Sequence, residues 1–330
     1  MSKEYTCLGM MSGTSGDGVD ASIIQSDGLD KFTILKEKYY EYDEKLFHDY
    51  HYLKKKINSS NDLKKNSSLI KKLENTITIF HAKVVKDITK EFDIDLIGFH
   101  GQTIYHNPKE KKSIQLGNGR LLSQLSSKKV VFDFRKNDII NAGQGAPLTP
   151  IFHHLLTVQN KFRLPVCFLN IGGISNITIV KDKNDISKLV SKDIGPGNCL
   201  IDAWVRKNSN KKFDKDGLIA SSGTRNEIIF EQAQELYTNR NNKKKLSFDT
   251  NDFDISFIRG LSFEDGVTTL TDFTASILSE ELSLILNSSN NKVNDILLCG
   301  GGRKNKELIK KIKKNLPLEF NFKLIDDYKI

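Results

Sequence analysis

The stretch Gly9-Met-Met-Ser-Gly-Thr-Ser-Gly-Asp-Gly-Val-Asp20 constrains the fold more than any other part of this chain. Glycines, hydroxyl residues and two aspartates sit between the apolar runs Tyr5 to Met11 and Val19 to Ile24. The flanks predict two β-strands and the middle a tight turn. Such a turn lets backbone N–H groups and hydroxyls close around an anion, because glycine leaves no Cβ in the way. Asp17 and Asp20 would repel a bare phosphate, so they make most sense with a divalent cation between them and it, reached through water. The P-loop pattern G-x-x-x-x-G-K-[ST] does not occur in the chain. Taken alone, the same residues also describe a hairpin turn with no ligand.

A second copy of the design lies at Pro165-Val-Cys-Phe-Leu-Asn-Ile-Gly-Gly-Ile-Ser-Asn-Ile-Thr-Ile-Val180. An apolar strand ends in Asn170, Gly172 and Gly173 make the turn, and Ser175, Asn176 and Thr178 open the next strand. A third glycine cluster, Gly300 to Gly302, follows the apolar run Leu297 to Cys299 and precedes a helix pattern. The order resembles that of the actin-like, sugar-kinase and chaperone ATPase superfamily. That resemblance implies an α/β fold of two related, ribonuclease H-like domains facing a nucleotide cleft. Each domain would give one hairpin to the ATP phosphates, with the late glycine cluster near the adenosine.

A length of 330 residues suits about two domains. The boundary is expected in the Gly/Pro loop Asn141 to Leu148, giving domains 1–140 and 141–330 and a hinge between them. Hydrophobic content of 38% and charged content of 28% are those of a globular chain. No run approaches the roughly 20 apolar residues of a membrane helix, and no signal-peptide core is present, so a cytoplasmic protein is expected. The four cysteines lie in or beside apolar segments without C-x-x-C spacing, which predicts buried free thiols rather than a disulfide or zinc site. A net charge of +9 raises nucleic-acid binding. The lysines instead fill the polar faces of helices, as around Leu308, Ile309, Ile312 and Leu316, and no aromatics interleave with them. Nucleic acid is therefore not expected, whereas anionic small substrates are.

Between the hairpins, Leu73, Ile77, Phe80, Val84 and Ile88 keep the spacing of a helix packed on one face. Asp95 to Phe99 reads as a short buried strand with His100-Gly-Gln-Thr103 at its tip. Lys129 to Phe132 reads as another, ending in Asp133-Phe-Arg135. Ligands of open α/β sheets gather at such carboxyl ends. In the second half, Gly195-Pro-Gly197 predicts a turn and Asn198 a helix N-cap, which puts Asp193 on a rigid turn before a helix start. Leu270, Phe273, Ile277, Leu278, Leu282 and Ile285 mark a long buried helix.

Taken in order, these motifs resemble the anhydro-N-acetylmuramic acid kinase family over nearly the whole chain. The matching pieces are Met11 to Ala21, Phe99 to Thr103, Asp133 to Arg135, Gly143 to Leu148, Asn170 to Thr178, Gly195 to Asn198 with Asp202 to Trp204, and Cys299 to Gly302 with Asn305. The resemblance implies ATP- and Mg²⁺-dependent conversion of 1,6-anhydro-N-acetylmuramic acid to N-acetylmuramic acid 6-phosphate in cell-wall recycling. Water opens the anhydro ring in the same reaction. It implies that Asp193 is the catalytic base, the bland alternative being a carboxylate that only ties its turn. Nucleotide binding would fall to Gly13, Thr14, Ser15, Gly16, Asp17, Gly18, Val19, Asp20, Asn170, Gly172, Gly173, Asn176, Gly300, Gly301 and Gly302. Sugar binding would fall to His100, Gln102, Thr103, Arg135, Gly195 and Asn198. Arg135 suits the lactyl carboxylate, or else an interdomain salt bridge. Asp17 and Asp20 would meet Mg²⁺ through water, unless one of them only braces the hairpin.

Two departures from the family pattern stand out. Gly16 replaces a larger apolar residue, so a looser first hairpin is expected. The chain also stops at Asp326-Asp-Tyr-Lys-Ile330, where family members add a further turn and an E-A-x-A-F-A helix. A chain lacking that helix is expected to be less stable and less active. Other readings stay open: a related sugar kinase without water attack, or an ATP-binding switch without sugar turnover. A homodimer is compatible with the sequence and not dictated by it.

Overall fold

The computed structural model describes residues 3–239, 248–287, 293, 295–317 and 320–328. The chain divides into two compact units, Met1–Ala146 and Pro147–Ile330. The division falls beyond the expected 140/141 boundary because the intervening loop is laced to the first unit. Gly143 N donates to Asp138 O at 2.7 Å, Gly145 N donates to the Asp138 carboxylate at 2.6 Å, and Arg135 Nη1 donates to Gly145 O at 2.5 Å.

The first unit contains β1 (Tyr5–Ser12), β2 (Gly18–Ser26), β3 (Phe32–Glu41), α1 (Glu44–Lys56), α2 (Ser60–Lys65), α3 (Ser67–Ile88), β4 (Leu96–Asn107), β5 (Lys112–Leu116), α4 (Gly119–Ser126), β6 (Lys129–Val131) and α5 (Lys136–Ile140). Its sheet runs β3-β2-β1-β4-β5, with β6 also paired to β4. The first three strands form an antiparallel meander, and β4 lies parallel to β1 and to β6. The core gathers Leu8, Met10, Val19 and Ile23 from the hairpin, Tyr50 and Leu53 from α1, and Ile77, Val84 and Ile88 from α3.

The second unit contains α6 (Pro150–Gln159), β7 (Val166–Ile171), β8 (Ile174–Val180), β9 (Val190–Pro196), α7 (Cys199–Asn208), α8 (Glu227–Asn239), α9 (Phe263–Asn287), β10 (Asp295–Cys299), α10 (Lys306–Asn315) and β11 (Asn321–Leu324). Its sheet runs β11-β10-β7-β8-β9. Again three strands form an antiparallel meander, and the next strand returns parallel to the first. Counted from the start of each unit, both sheets read third-second-first-fourth, with a further strand parallel to the fourth. This is the duplicated, ribonuclease H-like α/β plan of actin-like ATPases. The long helix α9 buries Leu270, Phe273, Leu278 and Leu282. In α10, Leu308, Ile309 and Ile312 face the core, and the lysines take the other side. Among the described residues no helix is long and apolar enough to cross a membrane.

Four local readings change. The expected short strand at Asp95 to Phe99 is the long β4, which runs on through His100, Gln102 and Thr103 to Asn107. These residues lie inside a strand because pairing resumes with β5 past a register shift beside Gly101. Asp193 belongs to β9 rather than to a turn. The turn at Gly16 is pinned rather than loose. Gly16 has φ of 63°, and a Cβ there would run into the Tyr50 ring, so α1 fills the space a larger side chain would take. The thiols are free, but only Cys167 is buried; Cys7, Cys199 and Cys299 are partly exposed.

Two buried histidines sit within the packing of the two units. His81 Nδ1 donates to Ile77 O at 2.8 Å in α3, and burial lowers its pKa to about 4. His153 Nδ1 pairs with Thr178 Oγ1 at 2.8 Å, its ring stacks on Phe168, and burial lowers its pKa to about 4 as well. Both stay neutral in the fold where the unfolded chain would take up protons. Stability is therefore full above about pH 6.5 and lost progressively towards pH 4, by up to about 1.36 kcal/mol per pH unit for each group. Denaturant midpoints measured from pH 7 to pH 4.5 should fall along this window. His153→Gln should flatten the dependence, and an unchanged slope in that variant would rule out the assignment.

Candidate active site

The first hairpin turn, Gly13 to Asp17, is held by backbone and side-chain bonds from its own unit. Gly16 N donates to Gly13 O at 3.1 Å and Tyr42 N to Asp17 O at 2.8 Å. Gln102 Nε2 donates to Gly13 O at 2.7 Å, and His51 Nε2 donates to Ser15 O at 2.9 Å. Ser15 Oγ donates to the Asp17 carboxylate at 2.6 Å. Thr14 and Asp20 are exposed, whereas Val19 is fully buried. The Val19 side chain thus belongs to the core and not to a ligand surface. Gly18 lies hard against Tyr39 and the Tyr40 carbonyl.

A negative field surrounds this turn. The Tyr39 phenol is pushed far above its ordinary pKa, first by burial and then by Asp17, Asp20 and Glu41. Among the described residues no three His, Cys, Asp or Glu side chains are arranged to hold a metal by themselves. Mg²⁺ takes one or two carboxylates and completes its shell with water and phosphate oxygens. Asp17 and Asp20 fit that donor set.

On β4 the three candidates separate. His100 is partly buried, and its Nε2 receives Arg135 Nε at 3.1 Å and Nη2 at 3.0 Å. A guanidinium only donates, so Nε2 is the acceptor and the proton sits on Nδ1, which donates to Gly101 O at 2.7 Å. Burial and then the Arg135 charge lower the His100 pKa to about 4, keeping it neutral. Arg135, at the start of α5, is thereby oriented by His100 and Gly145 O within one unit. Gln102 is fully buried and spends its amide on Gly13 O and Tyr42, which makes it a brace rather than a sugar contact. The Thr103 hydroxyl accepts from Gln115 Nε2 at 3.2 Å.

In the second unit, strand register does the assembling. Cys299 pairs with Asn170, Asn170 with Asn176, and Asn176 with Asp193. Directly opposed residues share a sheet face. Asn170, Asn176 and Asp193 therefore form one polar row across β7, β8 and β9. Asp193 is 6% exposed, and its Oδ2 accepts from Phe248 N at 2.8 Å. Oδ1 of Asn176 is buried with no hydrogen-bond partner among the described residues.

The turns converge on the same row. Gly172 O accepts from Asn198 N at 2.8 Å, and Gly173 O accepts from Gly197 N at 2.9 Å and Cys199 N at 3.2 Å. Gly300 has φ of 77°, and a Cβ there would strike Asn170 Oδ1 and the Ile171 carbonyl. Gly302 lies against Ile171 and the Asn198 amide, while Gly301 opens to free space. Gly195 packs against Ile277. Arg303 ties the cluster down, donating to Gly300 O at 2.9 Å and bidentately to Asp326 at 2.5 and 2.7 Å.

The chain also has matches among known proteins. The family model described as anhydro-N-acetylmuramic acid kinase matches residues 5–330. The chain belongs to the anhydro-N-acetylmuramic acid kinase family. A family member from Pelagibacter ubique is 53% identical over 332 residues, covering 100% of this chain and 88% of its own length. Those from Zymomonas mobilis and Agrobacterium fabrum are 35% and 32% identical, each over 94% of this chain and 85% and 83% of their own lengths. Family membership makes the chain a phosphotransferase, and ATP use goes with that class.

Two features escaped the sequence reading. One is the side-chain network under the first turn, for which the signal was a histidine on the apolar face of α3. The other is the Asn198 side chain. It does not cap α7, whereas Asn305 does cap α10, accepting from Leu308 N at 3.0 Å. Asn305→Ala should cost about 1 kcal/mol of stability, the typical worth of a cap. Asn198→Ala should leave the melting temperature nearly unchanged. Equal losses in thermal unfolding would show that Asn198 serves as a cap after all.

Proposed function

We propose that this chain converts 1,6-anhydro-N-acetylmuramic acid and ATP, with water, to N-acetylmuramic acid 6-phosphate and ADP in cytoplasmic cell-wall recycling. The observation that carries the reading is the polar row ending in Asp193, in a chain that the family model spans from residue 5 to 330. The resemblance supplies the substrate, and the geometry supports the roles.

Asp193 takes a proton from water as the water oxygen bonds to the anomeric carbon. The bond from that carbon to the bridging oxygen breaks, and the bridging oxygen accepts the γ-phosphoryl group. A general base of this kind contributes typically ~10²–10⁴-fold. The Phe248 N–H fixes one carboxylate oxygen of Asp193. Asn176, opposite Asp193, supplies a buried amide oxygen in need of a donor, which a water or a nucleotide group would satisfy.

Phosphoryl transfer needs positioning and charge neutralisation more than covalent work. Gly13 to Ser15 offer turn backbone to phosphate oxygens, and in the second unit Gly172 and Gly173 offer turn backbone beside the Asn170 side chain. Gly301, open between the tightly packed Gly300 and Gly302, offers backbone to the adenosine. Asp17 and Asp20 would hold Mg²⁺ through water, and the ion would there neutralise phosphate charge. Arg135, oriented by a neutral His100, pairs with the lactyl carboxylate in this reading. Thr103, Gly195 and Asn198 complete the sugar contacts.

Asp193→Asn keeps an oxygen for the Phe248 N–H and removes the base. Turnover should drop by at least ~10²-fold, with KM values for ATP and sugar nearly unchanged. Near-normal kcat in the folded variant would sink the role. In ¹⁸O-labelled water the product should carry label at the anomeric hydroxyl. Unlabelled product would point instead to a kinase acting on a plain sugar hydroxyl.

A further inference from the structure

The first hairpin turn rests on a buried polar chain that the transfer reaction itself does not require. Ser12, Tyr42, His81 and Gln102 are each at most 2% exposed, and they come from β1, the β3–α1 junction, α3 and β4. Their protons follow from chemistry. A carbonyl only accepts, so His81 Nδ1 carries the hydrogen given to Ile77 O, and Nε2 is left as an acceptor. The Ser12 hydroxyl, 3.3 Å away, donates to it. The Tyr42 hydroxyl lies 3.0 Å from Ser12 Oγ and 3.5 Å from Gln102 Oε1, and its single hydrogen serves one of these two acceptors at a time. Gln102 Nε2 then donates to Gly13 O at 2.7 Å.

The end of this chain of bonds is a backbone carbonyl in the phosphate turn. In a trans peptide the C=O and the following N–H point in opposite directions, and the Gly13–Thr14 bond is trans. A Gly13 carbonyl held inward by Gln102 therefore turns the Thr14 N–H outward, at an exposed residue. We propose that Ser12, Tyr42, His81 and Gln102 form a positioning device that fixes the Gly13–Thr14 peptide so that the Thr14 N–H meets a nucleotide phosphate oxygen. The proposal rests on the hairpin reading above and adds how the turn acquires its polarity. With the imidazole neutral, Nε2 stays an acceptor for Ser12, whereas an imidazolium would turn Nε2 into a donor.

The test compares binding of a non-hydrolysable ATP analogue by calorimetry, melting temperature, and KM for ATP and for sugar. Gln102→Leu and Ser12→Ala should bind the analogue about tenfold more weakly, about 1.4 kcal/mol. Their KM for sugar should stay within about twofold of the unmodified chain, the loss being confined to the nucleotide. His81→Gln keeps an acceptor oxygen for Ser12 and should bind better than His81→Leu. Unchanged analogue affinity in folded Gln102→Leu, with Gly13→Val still weakening it, overturns the positioning role and spares the hairpin reading. Unchanged affinity in Gly13→Val as well removes the turn from nucleotide binding, and the proposal with it. Should the buried variants fail to fold, the unmodified chain decides. Its Thr14 amide resonance should shift on adding the analogue, and an unmoved resonance overturns the proposal.

Discussion

A glycine turn that is to grip an anion must be rigid, yet it has almost no side chains with which to hold itself. Glycine loses more conformational freedom on ordering than any other residue, so the shape of such a turn has to come from its neighbours. The first unit supplies it from below, through the Gln102 amide and the aromatic ring of Tyr50. The second supplies it from the side, where Gly197, Asn198 and Cys199 give backbone N–H groups to Gly172 and Gly173 carbonyls. One topology, repeated, thus meets one physical need by two different means. Side-chain amides and rings do the work in one unit, and the start of a helix does it in the other.

The electrostatics of the first unit follow the same logic. A polar chain buried among Leu8, Ile77 and Phe99 is tolerable only if every member is satisfied, and each of its four side chains has a partner. Keeping His81 neutral is part of that satisfaction. His100 is neutral for a related reason, since a charged ring could not accept from Arg135. Burial thus sets hydrogen-bond direction in both places, and direction is what orients the groups above them.

Much of this architecture was legible in the sequence, because its signals are local. Apolar runs broken by glycine gave both hairpins, and helical spacing gave α3, α9 and α10. The motif order pointed to the family and to Asp193, Arg135 and the three glycine clusters. What the sequence hid was register and burial. Nothing in the string His100-Gly-Gln-Thr103 says that β4 continues past a shift to pair with β5, and so the polar tip proved to be strand interior. Gln102 and Val19 read as site residues because motifs do not distinguish a side chain facing a ligand from one holding the backbone that does. Asn198 looked like a cap because caps are recognised by residue type, whereas capping depends on φ, ψ and side-chain direction. The network around His81 joins residues far apart in sequence, and no single window contains it.

The row Asn170–Asn176–Asp193 is aligned by counting residues along strands, and this makes the site sensitive to length as well as to identity. Side chains alternate faces with a period of two, so a slip of one residue between β8 and β9 would send Asp193 to the opposite side of the sheet. The irregularity between Ser175 and Asn176 sits at the place where that count is fixed, and such bulges commonly act as register marks. Single-residue insertions between Val180 and Val190 leave the count intact, because they lengthen only the connection. One placed between Asn176 and Val180 changes it, without altering any residue that would touch a ligand. Across relatives, gaps should therefore be common in that connection and absent from the strand segments beside it.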